Sequence, residues 1–161
     1  MAAWCLLPAW AGAADAAADD QANADQANAI VGDWLVASRD AVIRIERHGN
    51  EFEGHIVWQL HDTYGPEDGP ELDGKPAVDR HNPDPAKRSR TLDGLRLIWD
   101  LHYDAERHEW RGGRVYDSDD GHTYNCMMHM VDDNHLSLRG YFGITLIGGS
   151  SVWTRSRVPP F

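Results

Sequence analysis

The residues best equipped for chemistry crowd into one stretch. Residues 79–90 read Asp-Arg-His-Asn-Pro-Asp-Pro-Ala-Lys-Arg-Ser-Arg, charged with both signs and stiffened by two prolines. Asp79, Asn82, Asp84, Arg88 and Arg90 admit two readings. In the first they form a recognition lid: guanidinium forks grip a carboxylate or phosphate, and Asp79 and Asn82 hold the forks in place. In the second the loop serves only itself. Asn82 caps a short helix, and Asp79 pairs with Arg88 or Arg90. The second reading has the stronger physical support, because caps and loop ion pairs are common. Both place the loop over one end of whatever scaffold carries it.

Aromatic residues are the next resource. Trp58, Trp99, Trp110, Tyr116, Tyr124 and Tyr141 recur at strand spacing. Such rings either line a cavity for an amphiphilic ligand, with phenol and indole groups orienting it, or fill a solid core. The candidate ligand-binding set is therefore Asp79, Asn82, Arg88, Trp110, Tyr116, Tyr124, Arg139 and Tyr141. Aromatic faces would meet the apolar part of the ligand, and Arg88 or Arg139 would meet a polar or anionic head.

Other chemistries find less support. The chain has nine histidines, and His122 shares a face with Cys126, Met128 and Met130, ligands that suit a soft metal such as Cu(I). The same alternation describes an apolar inner face, and no Cys-x-x-Cys or His-Glu-x-x-His spacing occurs, so no metal site is expected. Asp117-Ser118-Asp119-Asp120-Gly121 lacks the spaced ligands of a calcium loop and reads as an acidic hairpin tip. No nucleophile elbow, phosphate loop or dinucleotide fingerprint is present, and no cofactor is expected. Paired carboxylates are plentiful, and Asp79 with Asp84 or Asp117 could serve as acid and base, but the separation such chemistry needs is not a property of the sequence, so no catalytic residue is assigned.

The elements that must position these groups are strands. Residues 30–36, 41–47 and 51–60 have strand character; Phe52, Gly54, Ile56 and Trp58 share a face, and Gly54 marks a bend or close approach. A breaker-rich loop spans 61–77. Asn82 and Pro83 predict a turn of helix over 83–88. Strand pattern resumes at 94–103, with Leu95, Leu97, Trp99 and Leu101 on one face. It continues at 110–116, kinked at Gly112-Gly113, then at 122–131, 135–140 and from Gly149 or Ser150 to 157. About eight strands joined by short hairpins, with one long excursion, predict an all-β, antiparallel, up-and-down barrel with one short helix in its long loop.

The chain has 161 residues, 42% of them apolar, and a net charge of −11. That balance argues against a nucleic-acid surface, which needs clustered Lys and Arg, and against docking on anionic lipid headgroups. Residues 1–14 are apolar and Ala-rich, and Ala11-Gly12-Ala13 has the small-x-small form of a signal-peptidase site; they read as the remnant of a signal peptide. Residues 15–29, rich in Ala, Asp, Asn and Gln, read as a disordered or weakly helical leader, and 30–161 as one barrel domain. No apolar run reaches the ~20 residues of a membrane-spanning helix. Cys5 would leave with the signal, and Cys126 alone cannot staple the domain.

Gly32-x-Trp34 near the start and Arg155 near the end are similar to the lipocalin and calycin signature, in which first and last strands pair and an Arg stacks over a Trp. Further segments are Val31-Gly32-Asp33-Trp34, Asp79 to Pro85 with Arg88, Arg90 and Gly94, Trp110 to Asp117, Gly121-His122-Thr123-Tyr124, Leu138 to Gly143, and Trp153-Thr154-Arg155. On these the chain resembles the small exported bacterial proteins known as domain of unknown function 2147. The resemblance implies export and a β-barrel, and no reaction. The resulting expectation is a periplasmic or secreted binding or carrier protein for a small lipid or amphiphile. The alternatives are an envelope interaction protein with a filled barrel and a protein partner, and an envelope hydrolase using the acidic loop.

Overall fold

The computed structural model describes residues 11–143 and 148–161; the first ten residues of the expected signal remnant, including Cys5, lie outside the described residues. A helix, α1 (Ala11–Ala27), leads through a single 3-10 turn into β1 (Gly32–Leu35), β2 (Ala41–His48) and β3 (Glu51–Gln59). After a long excursion follow β4 (Arg96–Asp104), β5 (Glu109–Asp117), β6 (His122–Asp132), β7 (His135–Tyr141) and β8 (Gly148–Arg155). Each strand pairs antiparallel with the next, and β8 returns to β1, closing an eight-stranded barrel. The up-and-down barrel expected from the strand periodicity is the fold observed.

Closure depends on a short seam. Among the described residues two register pairs cross it, Trp34↔Arg155 and Leu35↔Thr154, with Ser156 N donating to the Asp33 carbonyl at 2.8 Å, and side chains reinforce it. The Arg155 guanidinium lies 4.3 Å from the centre of the Trp34 ring. It donates to the carbonyls of Val31 (3.2 Å), Ala29 (2.8 Å) and Asp133 (2.9 Å). Trp34 Nε1 donates to the Ile30 carbonyl at 2.8 Å. A cation over an indole face adds attraction while its N–H groups satisfy carbonyls that would otherwise be orphaned.

The end of the barrel beside this seam is solid. Trp34, Ile45, Phe52, Leu101, Trp110 and Met128 are buried there. Phe52 meets Trp110 edge-on at 6.4 Å. The floor is completed from below by the end of the leader: Ala27 and Ile30 are buried, and Trp110 Nε1 donates to the Ala27 carbonyl at 3.0 Å. The Ala-rich leader is thus an α-helix whose C-terminal end packs into the domain. Above the floor, β-carbon space is tight at Gly54, where a Cβ would sit 2.8 Å from Ile98 Cδ1. That is the close approach a glycine inside a strand signals.

Three local expectations change. On β4, Asp100 adopts φ 57 and the pairing with β3 shifts register. Leu95, Ile98 and Leu101 are consequently the buried residues, and Leu97 and Trp99 are only partly buried. A bulge inserts a residue and breaks the period of two. On β3, a register shift falls between the Val42↔Trp58 and Ile43↔Ile56 pairs, and Trp58 packs against Phe161 of the C-terminal tail at 5.4 Å rather than sharing the inner face of Ile56. In the long loop the helix is a 3-10 turn, Pro85–Lys87, capped by Asp84, whose side chain accepts from Ala86 N. Asn82 is engaged elsewhere.

Candidate functional site

Opposite the floor, the barrel is open. A cavity of about 740 Å³ occupies this half. Its deep wall is apolar, built from Ile43, Ile56, Leu97, Val115, Leu138 and Trp153. These residues come from six different strands, so closure of the sheet is what assembles the wall. Tyr116, Tyr124 and Phe142 add aromatic surface, and Tyr124 lies 4.5 Å from Phe142. At the mouth the lining turns polar: Ser38, Asp40, Gln59, His61, Asp117 and Asp119.

Behind Tyr116 stands the charged loop. Asp79 is fully buried. Its carboxylate accepts from Tyr116 Oη at 2.5 Å, Asn82 Nδ2 at 2.8 Å and Arg90 at 2.7 Å. Asn82 Nδ2 also donates to Tyr116 Oη at 3.1 Å, and Asn82 Oδ1 accepts from Asp84 N at 2.9 Å. Arg88 Nε donates to the Asn82 carbonyl at 2.7 Å. Every polar group of the loop core thereby has a partner within the protein, as buried polar groups require. The loop is seated on the β5–β6 hairpin: a Cβ on Gly121 would lie 2.1 Å from the His81 carbonyl oxygen. Burial, and then the bond to Asp79, push the Tyr116 phenol up to about 12. The self-contained reading of residues 79–90 is the one the geometry supports.

The eight candidate ligand residues therefore separate. Tyr116 and Tyr124 line the cavity. Asp79 is sealed behind Tyr116, while Asn82 borders a smaller groove of about 400 Å³ on the outside of the barrel. In that groove Lys87, Arg90 and Arg96 are each paired, with Asp84, Asp79 and Glu53. Trp110 belongs to the floor. Arg88, Arg139 and Tyr141 are not in the cavity lining; Arg139 Nη1 donates to Ser150 Oγ at 3.1 Å. Cys126 and Met128 are buried core residues, and burial pushes the Cys126 thiol up to about 12.

Sequence reasoning missed the aliphatic wall and the acidic mouth. Asp117 and Asp119 were legible as a hairpin tip, yet only closure shows that this tip borders the cavity beside Asp40. Asp119 is held above the usual carboxylate range by burial and by its neighbours Asp117 and Asp40, with His81 opposing. Tyr124 donates to Asp120, and this bond pushes its phenol up to about 12. For acid–base chemistry, Asp79 has no exposure to a substrate and Asp84 spends one oxygen on its cap.

Comparison with known proteins agrees with this architecture. A solved structure described as "Protein HP1028 from the human pathogen Helicobacter pylori belongs to the lipocalin family" superposes with a TM-score of 0.64 at 20% identity. The match covers 80% of this chain and 83% of that one. At that identity the likeness concerns the fold alone. No curated protein matches the sequence. The model of a bacterial family, described as "Uncharacterized protein conserved in bacteria (DUF2147)", matches residues 32–155, from the first residue of β1 to the last of β8. The chain accordingly belongs to the DUF2147 family and has a lipocalin-like fold.

Proposed function

We propose that this protein is a carrier that takes the apolar part of a small amphiphile into the open half of its barrel. One observation carries the reading: a closed barrel, solid at one end, encloses about 740 Å³ of largely apolar-walled space at the other. Ligand pockets typically measure about 300–1,000 Å³. Each methylene moved from water into such a wall contributes about 0.8 kcal/mol, so an alkyl chain of ten carbons offers ~8 kcal/mol before association costs. A barrel built only as a scaffold would gain by filling this space, because unfilled core volume is destabilising. The open half is thus evidence against the filled-barrel alternative, and the burial of Asp79 is evidence against a hydrolase built on the charged loop.

We further propose that the carrier works in the periplasm or outside the cell, on the strength of the apolar, Ala-rich start of the chain and its small-x-small site. Cell fractionation tests this directly: recovery of the full-length chain in the cytosol would overturn it.

The carrier reading is tested by native mass spectrometry of protein purified from its native cells, compared with its denatured mass. A retained non-covalent mass supports it. A second measurement uses Trp153, which lines the cavity. Dodecanol added to delipidated protein should change tryptophan emission saturably, and Leu138→Trp, which fills the cavity, should abolish saturable dodecanol binding measured by calorimetry. Absence of both a retained mass and saturable dodecanol binding would sink the proposal.

A further inference from the structure

The apolar wall says little about the other end of the ligand; the mouth says more. Among the described lining residues there is no Lys or Arg, and three carboxylates, Asp40, Asp117 and Asp119, stand on the rim. They arrive from two separate places in the chain, the β1–β2 connection and the β5–β6 hairpin, and only the closed barrel brings them together. Some carboxylates elsewhere on this protein are ion-paired, Asp33 with Arg44, Asp79 with Arg90, Glu53 with Arg96 and Asp104 with Arg107. Among the described residues no Lys or Arg forms an ion pair with the three rim carboxylates.

Two of the three are held in place. Ser38 Oγ donates to Asp40 Oδ1 at 2.5 Å, and Asp119 N donates to Asp117 Oδ1 at 2.9 Å. Each of these carboxylates keeps an oxygen for another donor. Asp119 stands beside two like charges, Asp117 and Asp40, an arrangement that a cation would relieve. A bare metal ion is a poor match, because among the described residues no three His, Cys, Asp or Glu side chains converge as ligands. An ammonium group on an organic ligand needs no such convergence, since it can be shared among spaced carboxylates. The adjacent Tyr124 and Phe142 rings present faces that suit an alkylated ammonium.

We propose that the ligand is a cationic amphiphile, its ammonium end held at the mouth by Asp40, Asp117 and Asp119 while its apolar part occupies the barrel. This rests on the carrier reading and reverses the head-group charge expected from Arg88 and Arg139. Binding at this site is a matter of ion pairing and burial, with no covalent step.

The test compares dodecyltrimethylammonium, dodecyl sulfate and dodecanol, all below micellar concentrations, by calorimetry on the full chain. The cation should bind about ten-fold more tightly than dodecanol, the sum expected from a few partly exposed ion pairs, and the sulfate more weakly than either. The isosteric triple variant Asp40→Asn, Asp117→Asn, Asp119→Asn should lose that preference and keep its dodecanol affinity. A charge-matched control alters the opposite end of the barrel: Glu51→Gln, Glu106→Gln, Asp133→Asn. It should retain the preference, which separates the rim from the general attraction of an acidic protein for cations. Equal binding of all three amphiphiles, tighter binding of the sulfate, or equal losses in both triple variants would overturn the inference while leaving the carrier reading intact. Failure of dodecanol and the cation alike would overturn both.

Discussion

Replacing Asp79 should cost stability before it costs anything else. Its buried carboxylate collects three donors, and they differ in what they lose. The Arg90 side chain is 38% exposed, so water can take over its solvation, and its share is about 0–1 kcal/mol. Asn82 and Tyr116 are nearly sealed, at 5% exposure each. In Asp79→Ala their donors face a void, and each unsatisfied buried group costs about 1–3 kcal/mol. The total should be about 3–5 kcal/mol, the usual result of removing one partner from a buried ionic network. Asp79→Asn should cost less, about 2 kcal/mol, because its amide oxygen can still accept from Asn82 and Arg90 while its NH2 group forces Tyr116 Oη to turn. The assay is urea unfolding followed by tryptophan emission and circular dichroism, with the slope checked for constancy so that the midpoint shift measures stability. A double-mutant cycle with Arg90→Ala should then return a small coupling beside the total. If Asp79→Ala unfolds within about 1 kcal/mol of the parent, the carboxylate is not the hub of the loop and the reasoning fails.

Other outcomes follow from the same geometry. Arg155→Ala removes the donor to three carbonyls and the cation over Trp34, and should lower stability by about 2–4 kcal/mol; Arg155→Lys should recover less than half, since an ammonium cannot fork. Thermal denaturation of both variants checks this, and equal stabilities for Lys and Arg would contradict it. Cys126 should resist a thiol reagent at pH 8 in the folded protein and react at once in urea, because burial holds its thiol near 12; rapid labelling without denaturant would refute the packing. Tyr116 supplies an alkaline signature. Its folded value, about 12, lies above its unfolded value of 10, so the folded state retains a proton that the unfolded state has lost. Stability should be fully present below pH 10 and fall as pH rises from 10 towards 12. Tyr116→Phe should flatten that fall, as read by urea midpoints across the range.

Much of the barrel was legible from local patterns. The β2–β3 turn at Gly49 and Asn50, the acidic β5–β6 tip and the Asp133-Asn134 turn each announced a hairpin, and the strand ends fell within a few residues of the expected ones. Turn chemistry and period-two alternation are local properties, readable from a few adjacent residues. The Trp34–Arg155 seam was legible for a different reason. A Gly-x-Trp near one end and an Arg near the other form a pairing that only a closed sheet satisfies, and both lie at its edges. The charged loop was half legible: Asp79 was expected to pair with Arg88 or Arg90 and pairs with Arg90, while Arg88 binds the Asn82 carbonyl, and the cap was assigned to Asn82 rather than Asp84.

The cavity was not legible, because no single strand contains it. Its presence depends on which residues point inward on several strands at once, and one inserted residue reverses that for everything beyond it. The positive φ at Asp100 made Leu101, and not Trp99, a fully buried residue. The shift beside Ile56 sent Trp58 out to Phe161. Two large indoles that could have filled the open half were thereby placed outside it. Composition and spacing determined that eight strands would close around an apolar interior. The bulges, which depend on partner strands far away in the chain, decided which large side chains point inward, and closure of the sheet brought Asp40, Asp117 and Asp119 together at the opening.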